Sequence, residues 1–301
     1  MTPNTPDTPY AAHFNIGGRV MAAIDASAYA DSIVAHAAWA AGRLAAPLEF
    51  VHVLDRQEEP SPTVDFSGNL AVDTQDRLLH DLALADAQRG RLGMERGRLL
   101  LEGAVRSAGD AGLAGATTCL RHGSLVDTLV DLESDVRLFV IGKRGEHADF
   151  DRGHIGGQLE RVVRAVHRPL LVASRALRPI ARVLVAFDGS PTTRKCVEMV
   201  AGSPLCDGLA VTVVVAGDAS GERRGALDWA LRTLSVPGRP APTGDIRIGD
   251  ADRVIADAVR EDAIDLLVMG AYGHSRIRQL IVGSTTSTML RTCQVPVLLL
   301  R

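Results

Sequence analysis

IDLLVMGAYGHSRIRQLIVGSTTSTML, Ile264 to Leu290, reads as a strand, a glycine turn, a loop and a helix start in one run. Ile264–Met269 is a short apolar segment, the pattern of a strand covered on both faces. Gly270 and Gly273 stand three apart, nine residues separate Gly273 from Gly283, and Ser284, Thr285 and Thr286 follow. The segment after them has helical character. Small residues let a backbone approach an anion closely. Unpaired N–H groups at a helix start, with hydroxyls beside them, hold phosphate oxygens. The run therefore suits a polyphosphate. The plainer alternative is a glycine-rich turn before a capped helix, which any α/β protein could carry.

Working outward, the chain repeats itself. Arg19-Val20-Met21-Ala22-Ala23-Ile24-Asp25-Ala26-Ser27 has a second copy in Arg182-Val183-Leu184-Val185-Ala186-Phe187-Asp188-Gly189-Ser190. Each is an apolar strand ending in Asp-small-Ser, and each leads into a helical stretch, 28–44 and 192–202. Second strands follow at Leu48–Leu54 and Leu209–Ala216, and third strands at 116–121 and 244–248. Fourth strands lie at 136–141 and 264–269, and final strands at 169–173 and 295–300. Between the first half's second and third strands, 57–68 reads as a polar loop and 70–108 as a long helix. Gly90, Gly93 and Gly97 threaten to break that helix. Alternating strands and helices predict a parallel sheet with helices on both faces. The fold class is α/β, with two tandem doubly wound units at 17–175 and 180–301 after a flexible tail, 1–16.

The spacing G-x2-G-x9-G-[ST], carried by Gly270, Gly273, Gly283 and Ser284, resembles the nucleotide-binding signature of the universal stress protein family. Each half resembles that family's domain from end to end. The resemblance implies a five-stranded sheet of order 3-2-1-4-5 in each half, Rossmann-like, with ligand at the switch point between strands 1 and 4. It also implies bound ATP, with adenine against strand 2 and ribose near strand 1. Residue by residue, it assigns Ala186, Phe187 and Asp188 to strand 1 and Val215 to strand 2, the latter to within about one residue. Met269, Gly270 and Gly273 match the end of strand 4, and Gly283, Ser284, Thr285 and Thr286 the phosphate cradle. Asp188 has two readings: a helix cap, or a contact to ribose hydroxyls or Mg²⁺. His274, Arg276 and Arg278 read first as solvent-facing loop residues, although arginine could neutralise phosphate. His274, beside Gly273, stays in the candidate nucleotide set. The family's single domains pair through their final strands. The resemblance therefore predicts 169–173 beside 295–300, a pseudo-dimer within one chain, with a homodimer left open.

The first half departs from the signature. Ten residues separate Gly145 from Gly156, Gly157 stands where the second half has Ser284, and the loop carries Glu146, Asp149 and Asp151. Those carboxylates would repel a triphosphate, with Lys143 and Arg144 as the nearby offset. His147, His154 and the aspartates match no metal-ligand spacing, so no metal site is assigned. A Walker A motif fails at both lysines, Lys143 and Lys195. No base stands at a fixed spacing to activate water, and phosphoryl transfer needs a complete positioning and charge-clamping set. No catalytic residue is named. The expected activity is at most slow ATP hydrolysis or autophosphorylation.

The resemblance implies a nucleotide-responsive stress or signalling protein, and composition bounds the rest. At 301 residues there is chain for two domains, and the 46% apolar content builds aliphatic cores, since aromatics are only 4%. A net charge of −3 gives no electrostatic footprint for nucleic acid or an anionic membrane. Cys119, Cys196, Cys206 and Cys293 form no CxxC pair, as expected of reduced thiols in a cytoplasmic protein. No apolar run approaches the ~20 residues of a membrane span. Two other classes compete: a slow ATPase or phosphotransfer enzyme of related fold, and a chaperone-like dimer that binds apolar ligands without nucleotide.

Overall fold

The computed structural model describes residues 14–54, 72–143, 145, 157–271 and 284–301. Its ten strands form a single sheet in the order β3-β2-β1-β4-β5-β10-β9-β6-β7-β8. The first half supplies β1 (Arg19–Ala23), β2 (Leu48–Leu54), β3 (Thr117–His122), β4 (Val136–Gly142) and β5 (Leu170–Ala173). The second supplies β6 (Arg182–Ala186), β7 (Ala210–Ala216), β8 (Thr243–Arg247), β9 (Leu266–Gly270) and β10 (Val297–Leu300). Within each half every pairing is parallel, in the order 3-2-1-4-5. Strand and helix limits differ from the sequence reading by no more than two residues at each end.

The halves meet at β5 and β10, which run antiparallel with Val297 opposite Val172, Leu298 opposite Leu171 and Leu299 opposite Leu170. The pairing expected from the repeat is therefore present. Its physical reason is plain: these strands are buried along their whole length, and an apolar edge left open is a template for association.

Eight α-helices cover the described part of the sheet. In the first half they are α1 (Ala30–Leu44), α2 (Val72–Asp110), α3 (Leu125–Leu132) and α4 (Gly157–Ala165). In the second they are α5 (Pro191–Gly202), α6 (Gly221–Leu234), α7 (Ala251–Glu261) and α8 (Ser284–Thr292). One core lies under α1, α2, α5 and α6, with Val20, Phe50, Val140, Leu171, Val185 and Leu298 pointing into it. The other lies under α3, α4, α7 and α8, with Met21, Phe139, Val172, Leu184, Leu267 and Leu299. Alternate residues of each central strand serve opposite faces, which is why these strands read as unbroken apolar runs.

Two expectations change. α2 runs unbroken through Gly90, Gly93 and Gly97. A Cβ on Gly97 would meet His52 Cδ2 at 2.8 Å and Leu120 Cδ1 at 2.9 Å, so this glycine lets the helix lie close on β2 and β3. Residues 14–16, assigned to the tail, are also packed on the first half. Phe14 and Ile16 pack on the first core, and Asn15 Nδ2 donates to the Ser134 carbonyl at 2.9 Å. The 57–68 loop lies outside the described residues.

Candidate functional site

After Ala186 the chain leaves β6 for α5, on one face of the sheet; after Gly270 it leaves β9 for α8, on the other. β6 and β9 are hydrogen-bonded neighbours, with Val185 opposite Val268. Where adjacent parallel strands send their connections to opposite faces, a crevice opens at their carboxyl ends. Among the described candidates, Ala186 ends β6 with Phe187 and Asp188 following it, and Met269 and Gly270 end the neighbouring β9.

The turn after β6 is tightly built. Asp188 Oδ1 accepts from the Ser190 N–H at 2.9 Å and from Thr193 Oγ1 at 2.7 Å. Ser190 Oγ in turn accepts from the Thr193 N–H at 3.3 Å, and Pro191 opens the helix. Ser190 is thus the N-cap of α5, and Asp188 braces the cap. Asp188 itself is exposed at the rim, so bracing does not remove it from the crevice. In the first half the matching aspartate, Asp25, accepts from Ser27 N–H at 3.1 Å, but α1 starts after Tyr29 with no side-chain cap.

At the end of β9, a Cβ on Gly270 would lie 3.0 Å from Thr192 Cγ2 and 3.3 Å from Thr193 Cγ2. The glycine read from the sequence as a phosphate neighbour thus has a packing reason as well. It lets the first turn of α5 sit against the end of β9, which draws the Asp188 turn and the β9 exit together. Met269 is buried in the second core, and the Ala271 N–H donates to the Leu300 carbonyl, continuing the β9–β10 pairing past Gly270.

The first turn of α8 brings Ser284, Thr285 and Thr286; Thr286 is buried and Thr285 half-buried. Its N–H groups lack intrahelical partners, as in any helix start. Gly273, His274 and Gly283, with Arg276 and Arg278, lie outside the described residues. So do Glu146, Asp149, Asp151, His147, His154 and Gly156 of the first half.

Two of the strand assignments gain detail. Ala186 and Phe187 are buried, and the Phe187 N–H donates to the Val214 carbonyl at 2.9 Å. Peptide groups alternate sides along a strand, so those of Val215 face β8, where it pairs with Ile246. Those of Ala216 face the β6 side. The side chain of Val215 is in the core. Sequence reasoning also missed the cluster beneath the turn. Phe187 stacks on Trp229 with ring centroids 5.9 Å apart and planes at 18°, and the Arg194 guanidinium lies 4.3 Å from the Trp229 centroid. Arg194 Nε donates to the Gly189 carbonyl at 3.1 Å, placing a cation beneath the turn. Nothing in the sequence pattern joins Trp229 to Phe187.

Lys143, read from the sequence as a nearby offset to the acidic loop, has a described partner elsewhere. It is buried, and its Nζ donates to the Cys293 carbonyl at the end of α8. Burial also holds the amine below the usual lysine range. Cys196 and Cys206 are buried thiols, the first pushed above the usual thiol range and the second up to about 12, mainly by burial. Among the described residues no group of three or more His, Cys, Asp or Glu could hold a metal ion, and no helix is long and apolar enough to cross a membrane.

The family model described as "Universal stress protein family" matches residues 18–174 and 232–301. The chain belongs to the universal stress protein family. The second match begins within α6, so β6, α5 and β7 are joined to the family by longer alignments. Universal stress protein Slr1230 of Synechocystis is 33% identical over 94% of this chain and 99% of its own length. Universal stress protein Rv2005c of Mycobacterium tuberculosis is 23% identical over 94% of this chain and 96% of its own. A universal stress protein from Archaeoglobus fulgidus shares the fold with a TM-score of 0.68 at 16% identity, covering 94% of this chain and 98% of that one.

Proposed function

We propose that this universal stress protein binds ATP in its second half and acts as a nucleotide-responsive stress or signalling protein. The observation that carries the reading is the convergence at one crevice. Asp188 follows β6 and Gly270 ends β9 on neighbouring parallel strands whose connections diverge, and α8 is the connection that follows β9. Phosphates lie on the N–H groups of Ser284, Thr285 and Thr286. Gly273 and Gly283 allow the close approach, with His274 beside them. Ribose hydroxyls donate to Asp188, and the adenine edge meets backbone near Val215, with Ala216 the residue whose peptide groups face β6. A Mg²⁺ would travel with the triphosphate, held mostly by phosphate oxygens and water.

Turnover is slow or nil on this reading, because these residues bind and position without supplying a base. The first half binds ATP weakly or not at all, for want of a hydroxyl at Gly157 and with its acidic loop. We further propose that the two halves are separate repeats of one domain, 17–175 and 180–301. Calorimetric titration of ATP into the Gly283→Val variant tests the site. A branched side chain at that position abolishes binding while far-ultraviolet circular dichroism stays unchanged. Normal binding by that variant removes the assignment.

A further inference from the structure

α8 is an improbable helix left to itself. Its sequence, STTSTMLRT, is five Ser and Thr residues followed by a single apolar pair. Ser and Thr are poor helix formers, because their side chains compete for nearby backbone groups and β-branching restricts rotamers. Nine residues are also too few for a stable isolated helix in water. Its order must come from packing and from its ends. Met289 and Leu290 supply the packing. The C-terminal end is held from the other half: Lys143 Nζ, following β4, donates to the Cys293 carbonyl, while the Cys293 N–H closes on Met289 O at 2.9 Å. A cation at a helix C-terminus also complements the helix dipole.

The place of this lysine in the repeat is informative. Lys143 follows Gly142, as Ala271 follows Gly270, and Cys293 precedes its β-strand as Val166 precedes β5. Their counterparts, Ala271 in the second half and Val166 in the first, are both buried and apolar. A lysine therefore stands in the first half where the repeat has an alanine. Its head group reaches the one helix whose other end forms the candidate phosphate cradle. That helix spans about 14 Å, short enough for a fix at one end to set the position of the other.

We propose that Lys143 is a positioning residue for the second-half nucleotide site: by capping α8 from the first half, it fixes the helix N-terminus that receives the phosphates. This rests on the ATP reading above. It gives the first half a role that needs no nucleotide of its own. Lys143 touches no ligand, and its amine can donate to the carbonyl whether charged or neutral.

The test is calorimetry of ATP and, separately, adenosine against the intact chain and its Lys143→Met and Lys143→Arg variants. Methionine keeps the buried stem and loses the donor; arginine keeps donor and charge. Lys143→Met weakens ATP by about fivefold or more, the lower end of ordinary site-to-site coupling. Adenosine affinity stays as in the wild type, and Lys143→Arg recovers part of the ATP loss. Equal loss for ATP and adenosine indicates general loosening of the fold and overturns the proposal, as does unchanged ATP affinity in Lys143→Met. Failure of the wild-type chain to bind ATP overturns the underlying reading as well, which distinguishes the two failures.

Discussion

Thr193 Oγ1 donates to Asp188 Oδ1 at 2.7 Å, tying the carboxylate that follows β6 to the first turn of α5. The same oxygen takes the Ser190 N–H, and Ser190 caps the helix. Capping and ligand contact are therefore compatible duties of one aspartate: one oxygen holds the turn while the residue stays at the rim. Replacing Asp188 with Ala removes both hydrogen bonds and should cost about 0.5–2 kcal/mol, the range for lost helix caps. Asp188→Asn keeps an acceptor and should cost less. Urea denaturation measures both; an alanine variant as stable as wild type would show that the turn does not depend on this network.

Gly270 should be intolerant of even one added methyl. A Cβ there meets Thr192 Cγ2 at 3.0 Å and Thr193 Cγ2 at 3.3 Å, and overpacking of this kind costs about 1–3 kcal/mol. Thr192→Ser deletes the nearer methyl. The double variant Gly270→Ala/Thr192→Ser should recover much of the loss, and the cycle of four proteins reads the coupling. Additive effects would mean that the two residues do not press on one another.

The repeat and the α/β class were legible from apolar runs and near-copies such as RVMAAIDAS and RVLVAFDGS, whereas the order of strands and the pairing of the final strands came only through the family resemblance. What stayed hidden depends on side-chain direction across long separations. Gly97 reads as a helix breaker until His52 and Leu120 are seen against it. Lys143 reads as a loop charge beside acidic residues, and only the antiparallel meeting of β5 and β10 brings it to Cys293, 150 residues away. The glycine of the phosphate signature, Gly270, was legible as a glycine but not as the floor on which Thr192 packs. Trp229 and Arg194 carry no motif, so their place under the Asp188 turn had no signal in the pattern.

His36 should make the fold weaken in mild acid. It is buried on α1, and Nδ1 lies 2.7 Å from the Ser32 carbonyl, which only accepts, so Nδ1 carries the proton. Burial holds the imidazole below its ordinary value of 6.5, opposed by the Ser32 hydrogen bond and assisted by the nearby charge of Lys143. The unfolded chain therefore binds the extra proton first as pH falls. Stability drops as pH passes below about 6.5 and stops dropping from this source once the folded imidazole is protonated. Denaturation midpoints between pH 5 and 8 should show that slope in wild type and less of it in His36→Gln. Equal slopes would assign the acid sensitivity to other groups.

Cutting the chain between β5 and β6 should produce halves that do not remain monomeric. Each would expose an apolar edge, Leu170–Ala173 or Val297–Leu300, that is buried in the intact sheet. Sedimentation of the separately expressed halves should show self-association or aggregation, and mixing them should favour a one-to-one complex. Two soluble, stable monomers would mean that the seam contributes little.

Titration of ATP into the intact chain by calorimetry tests the central claim most directly, since occupancy counts the working crevices. One ATP per chain is the expected result, with binding lost in Gly283→Val and weakened by about 0.5–1.5 kcal/mol in Ser284→Ala, the worth of one neutral hydrogen bond. Two equal sites per chain, or no binding at millimolar ATP, would contradict the account.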